Sequence, residues 1–389
     1  MNRYLITNAH LYSPMGEWPS GWLLSEGKTI RAMGPGQPPS FEPGTVSRTI
    51  DAHSQTLLPG FIDLHVHGAL GHEAMDASPD DLHEMARFYA RHGVTAFLAT
   101  TWTASRVETQ AVLDMVLSLP DLLEGSARVL GVHLEGPYLN PARCGAQDLS
   151  FIRHAEPEEA LEFLDSGVVR LVALAPEIPE NGWFIEECVR RSIRVSAGHT
   201  AATFAQMQAA VQLGVRQVTH CFNAMLGLAQ REPGTVGAAL TLAEIQCELI
   251  ADNVHVHPAV QKILVQSKGP LGVILITDAV RGAGLPLGSE YLLGERKVTV
   301  RDGATRLPDG TLTGSILTIN RALRNVMTAS NLPLAEAWPM SSLNAARALG
   351  ISAAKGSLEV GKDADIVLLD QDFEACLTMV EGRIVWEKD

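Results

Sequence analysis

The feature that most constrains the fold is an alternation of short apolar, β-branched runs with helical patterns along most of the chain. Eight such runs occur, at residues 61–67, 94–100, 128–134, 168–174, 193–197, 215–219, 245–250 and 271–277. Runs of this length between helices are typical of the strands of a parallel sheet, which are buried on both faces. Eight strands that alternate with helices predict an α/β fold, a closed (β/α)8 TIM barrel.

Helical patterns separate most of these runs. The clearest one starts at Ser78, which can cap a helix that has proline at its first position and acidic residues in its first turn, and Gly93 can end that helix. Four further helices are predicted, at residues 156–166, 183–191, 203–213 and 258–267. An open doubly wound sheet is the alternative fold, but no Gly-x-Gly-x-x-Gly motif follows any of the runs.

Both ends of the chain have a different pattern, with short strands punctuated by Gly, Pro and Ser. Five short runs are predicted strands: residues 4–7, 21–24, 28–33, 366–369 and 382–386. We therefore expect a small β-sandwich domain built from both chain termini, residues 1–57 and 355–389, beside a catalytic barrel domain of residues 58–354. A chain of 389 residues can hold one barrel of about 250 residues and such a second domain.

Composition excludes several classes of protein. Hydrophobic residues make up 46% of the chain, but no run approaches the roughly 18 uninterrupted apolar residues of a membrane span. The first eight residues turn polar too soon for a signal peptide. The net charge of −14, without a basic run, argues against nucleic acid and membrane as partners. The five scattered cysteines favour a reducing compartment, so we expect a cytoplasmic protein.

Residue types that bind metals fall at the ends of five of the predicted strands. They are His65, His67, Glu135, His199, His220 and Asp278. In a TIM barrel the carboxyl ends of the strands meet at one rim, where active sites lie. Residues i and i+2 of a strand share a face, so the imidazoles of His65 and His67 can reach the same point. The sequence therefore predicts a metal site built from four histidines and two carboxylates.

Each of these residues has a simpler explanation when it is considered alone. His199 or His220 could be a hydrogen-bonded core residue, and Asp278 could cap the following helix. The pair His65 and His67 could be two partly buried histidines without a metal. Six ligand types at strand ends would be an unusual accident of packing, and this coincidence favours the metal site.

Longer motifs around these residues resemble a known family. Residues 59–67, Pro-Gly-Phe-Ile-Asp-Leu-His-Val-His, are similar to the first-strand motif of the amidohydrolase superfamily. Four segments resemble the N-acetylglucosamine-6-phosphate deacetylases of that superfamily: His-Leu-Glu-Gly-Pro-Tyr-Leu-Asn at 133–140, Gly-His-Thr at 198–200, His-Cys-Phe-Asn-Ala-Met at 220–225 and Ile-Thr-Asp-Ala at 276–279. The resemblance covers nearly the whole chain, including the small domain made from both termini.

The resemblance implies one or two divalent metals per subunit. The first metal would have three ligands: Glu135, His199 and His220. The second would have its ligands on the first and eighth strands, with Glu135 bridging: His65, His67 and Asp278. Histidine and carboxylate ligands suit zinc or iron(II), with manganese or cobalt as alternatives.

The implied reaction is hydrolysis of N-acetyl-D-glucosamine 6-phosphate to D-glucosamine 6-phosphate and acetate, in amino-sugar catabolism or cell-wall recycling. A bound metal lowers the pKa of its water toward about 7, so that hydroxide is available at neutral pH to attack the acetyl carbonyl. Asp278 would act as general base toward this water and then as general acid toward the sugar nitrogen. Two alternatives stay open: another amidohydrolase reaction, such as cyclic amide cleavage or nucleobase deamination, and a non-catalytic sugar-phosphate binding protein.

The resemblance also implies a set of contacts with the phosphorylated amino sugar. Arg231 and His255 match the family's phosphate contacts, and Asn223 and the backbone N–H of Ala224 match further ligand contacts. Gln147 stands where some relatives carry a substrate-contacting histidine, and its amide can hydrogen-bond a sugar but carries no charge. The resemblance further implies a homodimer in which Arg231 reaches the neighbouring subunit's site. Considered alone, Arg231 could be an exposed loop residue and His255 a residue that flanks a helix.

Overall fold

The computed structural model describes residues 2–42 and 44–388, and residues 1, 43 and 389 of the predicted small domain lie outside the described residues. The strands are β1 (Arg3–Ser13), β2 (Gly16–Glu26), β3 (Thr29–Pro35), β4 (Arg48–Asp51), β5 (Thr56–Pro59), β6 (Phe61–Val66), β7 (Gly68–Ala69), β8 (His72–Glu73), β9 (Val94–Thr100), β10 (Arg128–Glu135), β11 (Val169–Leu174), β12 (Arg194–Ala197), β13 (Gln217–Val218), β14 (Gln246–Ile250), β15 (Val273–Ile276), β16 (Glu290–Leu293), β17 (Arg296–Arg301), β18 (Ala304–Arg306), β19 (Leu312–Ser315), β20 (Ile366–Leu369), β21 (Ala375–Val380) and β22 (Arg383–Glu387). The α-helices are α1 (Pro79–Ala90), α2 (Arg106–Ser118), α3 (Pro157–Asp165), α4 (Gly182–Arg190), α5 (Phe204–Leu213), α6 (Gly234–Thr241), α7 (Pro258–Lys268), α8 (Ile319–Ser330), α9 (Leu334–Ala337) and α10 (Leu343–Ala348).

Eight parallel strands form a barrel in the order in which they occur along the chain. β6, β9, β10, β11, β12, β13, β14 and β15 each pair with the next. Beyond the last pair, the N–H of Asp278 donates to the carbonyl of His65 at 2.9 Å, so the end of β15 lies beside β6. The carboxylate of Asp63 joins the same two strands by accepting from the hydroxyl of Thr277 at 2.5 Å. The predicted TIM barrel is confirmed.

The predicted barrel strands and helices agree with the structure in place and type. Each of the eight predicted runs contains one barrel strand, and the sixth is the shortest because the chain turns immediately after it, at His220, where φ is 30°. The five predicted helices are α1, α3, α4, α5 and α7. α1 begins as expected, with the hydroxyl of Ser78 accepting from the N–H of Asp81 at 3.3 Å. It ends at Ala90, and a turn then continues to Gly93.

Strands from the two ends of the chain form one mixed eight-stranded sheet. Its order is β22-β21-β20-β5-β1-β2-β3, and β4 also pairs with β1. β20 lies antiparallel to β5, with Ile366 opposite Pro59, so the two ends are joined directly. The sheet has its own apolar core, which includes Ile6, Leu57 and Met379. The predicted small β domain is confirmed, and its boundaries at 57/58 and 354/355 stay a prediction.

A four-stranded antiparallel sheet was not predicted from the sequence. Its strands β16, β17, β18 and β19 lie between the last barrel strand and α8. The N–H of Ser315 at its end donates to the carbonyl of Asp278 at 2.8 Å, so the sheet is anchored at the rim of the barrel. We call this four-stranded sheet the rim insertion. Among the described residues, no helix combines the length and the hydrophobicity that crossing a membrane requires.

Candidate metal centre and substrate cavity

The six predicted metal ligands meet at the carboxyl ends of the barrel strands. They form two groups, and within each group one ligand atom per residue lies within 4.8 Å of the others. The first metal group consists of Glu135, His199 and His220. The second metal group consists of His65, His67 and Asp278. All six residues are buried, so water cannot fully solvate their polar atoms.

In the first metal group, one potential ligand atom of each residue lies close to those of the other two. Glu135 Oε1 lies 3.1 Å from His220 Nε2 and 3.3 Å from His199 Nε2, and the two nitrogens are 3.1 Å apart. His199 Nδ1 lies 2.9 Å from the carbonyl oxygen of Arg143. Because a carbonyl only accepts, Nδ1 carries the proton, and Nε2 of the neutral ring presents a lone pair.

The second metal group repeats this arrangement. His65 Nε2 and His67 Nε2 are 3.2 Å apart, and Asp278 Oδ1 lies 3.6 and 3.4 Å from them, respectively. His65 Nδ1 lies 3.2 Å from Glu248 Oε2, so the ring donates to this carboxylate and turns its Nε2 lone pair toward the group. Glu135 links the two groups, since its Oε2 is 3.3 Å from His67 Nε2.

The electrostatics of both groups favour a cation between the ligands. Burial alone would raise the pKa of Glu135, but the rings of His65, His199 and His220 hold it well below its usual range. Burial alone would lower the pKa of His65, but Glu135 and Asp278 raise it well above its usual range. A positive charge is therefore favoured here, whether protons or metal ions carry it. Imidazole and carboxylate donors at this spacing fit divalent transition metals.

Three of the six ligands have a strained backbone. His199, His220 and Asp278 have φ angles of 47°, 30° and 48°, in or near the left-handed region that residues with a Cβ seldom adopt. Each such residue costs on the order of 1–3 kcal/mol, and strain of this kind is concentrated at functional sites. The strain occurs where each strand ends, and there it turns the side chain toward the barrel axis.

A cavity of about 230 Å³ opens beside the metal groups. Four of the five predicted substrate residues line it: Gln147, Asn223, Ala224 and His255. His255 Nδ1 lies 2.6 Å from Asp252 Oδ2, which leaves Nε2 as the ring nitrogen available to a ligand. Residues 311–314 of the rim insertion form another wall. Arg231 is exposed and is not among the residues that line the cavity.

Two residues of the site were missed in the sequence. Glu248 is buried in β14, where it accepts from the N–H of His220 at 3.1 Å and holds the ring of His65. A carboxylate inside the apolar strand Gln246–Ile250 was a usable signal for it. Trp102 follows the second barrel strand, and its ring stacks on His67 with centroids 4.0 Å apart. Nothing in the local sequence distinguishes this tryptophan from an ordinary core residue.

Comparison with known proteins agrees with this geometry. The model of the Amidohydrolase family matches residues 56–385. An N-acetylglucosamine-6-phosphate deacetylase of Vibrio furnissii is 41% identical over 335 residues, which are 85% of this chain and 83% of that protein. An N-acetylgalactosamine-6-phosphate deacetylase of Escherichia coli O157:H7 is 38% identical over 347 residues, 89% of this chain and 91% of that protein.

Solved structures give the same result. A variant of the N-acetyl-D-glucosamine-6-phosphate deacetylase of Mycobacterium smegmatis, in complex with N-acetyl-D-glucosamine-6-phosphate, superposes with a TM-score of 0.90 at 31% identity and covers 99% of this chain and 100% of that chain. The chain therefore belongs to the amidohydrolase family, and within it to the deacetylases of N-acetylated amino-sugar 6-phosphates. The resemblance and the hydrolase class that the motifs implied are confirmed.

The carboxylate of Glu248 should set the affinity of the second metal group. In Glu248→Gln the charged partner of His65 is lost, and we expect a metal of the second metal group to bind about 10- to 100-fold more weakly. The amide oxygen can still accept from the N–H of His220, so the first metal group should keep its affinity. Zinc titration of chelator-treated protein measures the affinities of both metal groups. Glu187→Gln, which alters a buried carboxylate on α4, is the control and should change neither affinity. Equal zinc affinities in Glu248→Gln and in the unmodified protein would contradict this role.

Proposed function

We propose that this protein hydrolyses N-acetyl-D-glucosamine 6-phosphate to D-glucosamine 6-phosphate and acetate, in amino-sugar catabolism or cell-wall recycling. The observation that carries the proposal is the position of Asp278, whose buried carboxylate belongs to the second metal group and also lines the substrate cavity. One strand-end acid thus faces both the metal ligands and the space for a substrate. The names of the relatives supply the class of sugar.

One or two divalent metals per subunit would be held by the two metal groups. Zinc or iron(II) suits the nitrogen and oxygen donors, and manganese or cobalt is an alternative. When bound, such an ion polarises the acetyl carbonyl and lowers the pKa of water. His65 and His199 are suited to hold it, because hydrogen bonds at Nδ1 fix both rings with Nε2 toward the site.

Asp278 would move the proton of the reaction. Its Oδ1 lies 3.4 Å from His67 Nε2, and its side chain is 11% exposed, so one carboxylate can contact both the ligand cluster and a molecule in the cavity. As general base it would accept a proton from the attacking water, and as general acid it would deliver that proton to the sugar nitrogen. Without this delivery, the amine is a poor leaving group.

The phosphate would be recognised by further residues that line the cavity. His255 offers Nε2, and Asn223 and Ala224 lie on the loop that follows β13. Gln147, which also lines the cavity, would contact the sugar or its acetyl carbonyl. In a homodimer, the exposed Arg231 would reach the site of the neighbouring subunit, where a guanidinium matches a phosphate in both geometry and charge.

N-acetyl-D-galactosamine 6-phosphate is a second candidate substrate. The relative from Escherichia coli O157:H7 that is named for this sugar is 38% identical and matches 89% of this chain, close to the values for the Vibrio furnissii protein. The two sugars differ only in the orientation of one hydroxyl group. A comparison of kcat/KM for the two sugar phosphates decides between them.

Asp278→Asn should retain the metal of the first metal group and lose most turnover. The amide cannot accept the proton of water, so kcat should fall by about 10²- to 10⁴-fold. Metal analysis and acetate release on the same preparation measure both quantities. Asp302→Asn, in an exposed turn of the rim insertion, is the control and should keep full activity. An unchanged kcat in Asp278→Asn would rule out the role as base and acid.

Arg231→Ala should weaken binding of the phosphorylated sugar. Loss of a hydrogen bond to a charged group costs about 1.5–3 kcal/mol, so KM should rise about 10- to 100-fold with metal content unchanged. Arg383→Ala, which removes an exposed arginine from β22 in the sheet formed by both chain ends, is the control and should leave KM as it is. Equal losses for the phosphorylated and the unphosphorylated sugar would argue against a phosphate contact.

A further inference from the structure

The side chain of Gln147 is fixed by two hydrogen bonds. The residue is 3% exposed, its Nε2 donates to Glu135 Oε2 at 2.7 Å, and its Oε1 accepts from the N–H of Thr103 at 2.8 Å. A backbone N–H can only donate, so the atom that faces Thr103 must be the amide oxygen. The amide nitrogen therefore faces Glu135, and a flip of the amide would break both hydrogen bonds.

This hydrogen bond falls on one particular oxygen of Glu135. Oε2 accepts from Gln147 and lies 3.3 Å from His67 Nε2, in the second metal group. Oε1 is the oxygen nearest to His199 and His220, at 3.3 and 3.1 Å from their Nε2 atoms in the first metal group, and it lies farther, at 3.5 Å, from His65 Nε2. Donation from an N–H occupies one lone pair of Oε2 and withdraws electron density from it, while the lone pairs of Oε1 stay free of this donor. A cation of the first metal group therefore meets the stronger carboxylate donor.

The loop that carries Gln147 also supports the first metal group at a second point. The carbonyl of Arg143 accepts from His199 Nδ1 at 2.9 Å, which aims His199 Nε2 at Glu135. The loop is itself held by Arg296 of the rim insertion, whose guanidinium donates to the carbonyl of Ala146 at 2.6 Å. Two of the three ligands in the first metal group are thus oriented by one loop.

We propose that Gln147 is a positioning residue that makes the two metal groups unequal. By holding Glu135 through Oε2, it favours tight binding at the first metal group and weak binding at the second. The inference takes its relevance from the proposed metal-dependent hydrolysis, but the metal affinities can be measured without any substrate. A purely structural role for Gln147 would change both affinities together, so their ratio distinguishes the two roles.

The test is a titration of chelator-treated protein with zinc alone, in competition with a chromophoric chelator. In Gln147→Met the donor to Glu135 is lost, and the ratio of the two zinc dissociation constants should shrink by about tenfold or more. Gln147→Glu keeps an acceptor for the N–H of Thr103 and places a carboxylate opposite Glu135, so the ratio should shrink there as well. Because Gln147→Glu keeps the hydrogen bond from the N–H of Thr103, this variant still tests the proposal if Gln147→Met does not fold.

Gln261→Met is the matched control. Gln261 is also buried, but its amide donates to Asn253 and to the carbonyl of Val256 and lies outside the metal groups. Its substitution should leave the ratio unchanged. One zinc in the unmodified protein and two in Gln147→Met would support the proposal as well.

An unchanged ratio in both Gln147 variants would overturn the proposal, as would an equal weakening of both metals. If the unmodified protein binds a single zinc, a single zinc in both variants would overturn it too. Acetate release by the unmodified protein is measured separately. Zinc affinities that shift as expected in a protein without deacetylase activity would refute the proposed function and leave the role of Gln147 intact.

Discussion

The site depends on the placement of one buried carboxylate among four histidine rings. Glu135 lies within 3.5 Å of ring nitrogens from both metal groups, and Asp278 adds a second negative charge beside them. Buried acceptors that converge in this way are stable only if a positive charge lies between them. Glu248 and the carbonyl of Arg143 increase this demand, because each orients one ring with its Nε2 lone pair inward. The ligand cluster is thus preorganised for cations.

The barrel can hold this concentration of charge because the charged and polar ligands come from several different strands. The ligands are His65 in β6, Glu135 at the end of β10, and residues that follow β6, β12, β13 and β15 within two positions, so no single strand supplies more than two of them. The strained backbone of His199, His220 and Asp278 is confined to these ends. The barrel strands are mostly buried before these ends, and their packing holds the strained residues in place.

The barrel and the meeting of the six ligands at one rim could be predicted from the sequence, because both depend only on where the strands lie along the chain. The sequence did not predict the rim insertion, whose strands β16–β19 are only three to six residues long and mix polar with apolar residues, so they do not stand out beside the barrel strands. The orientation of Gln147 could not be read either, because it is set by the N–H of Thr103, 44 residues away along the chain. The proposed role of Arg231 requires a contact between two subunits, which strand position does not predict.

The most direct test of the account is acetate release by the purified protein, measured with its metal content. N-acetylglucosamine 6-phosphate and unphosphorylated N-acetylglucosamine are compared before and after treatment with a chelator, and again after divalent metal is restored. We expect acetate release that is confined to the phosphorylated sugar, stops when the metal is removed and returns when the metal is restored. Absence of release from both sugars by metal-loaded protein would contradict the proposed function.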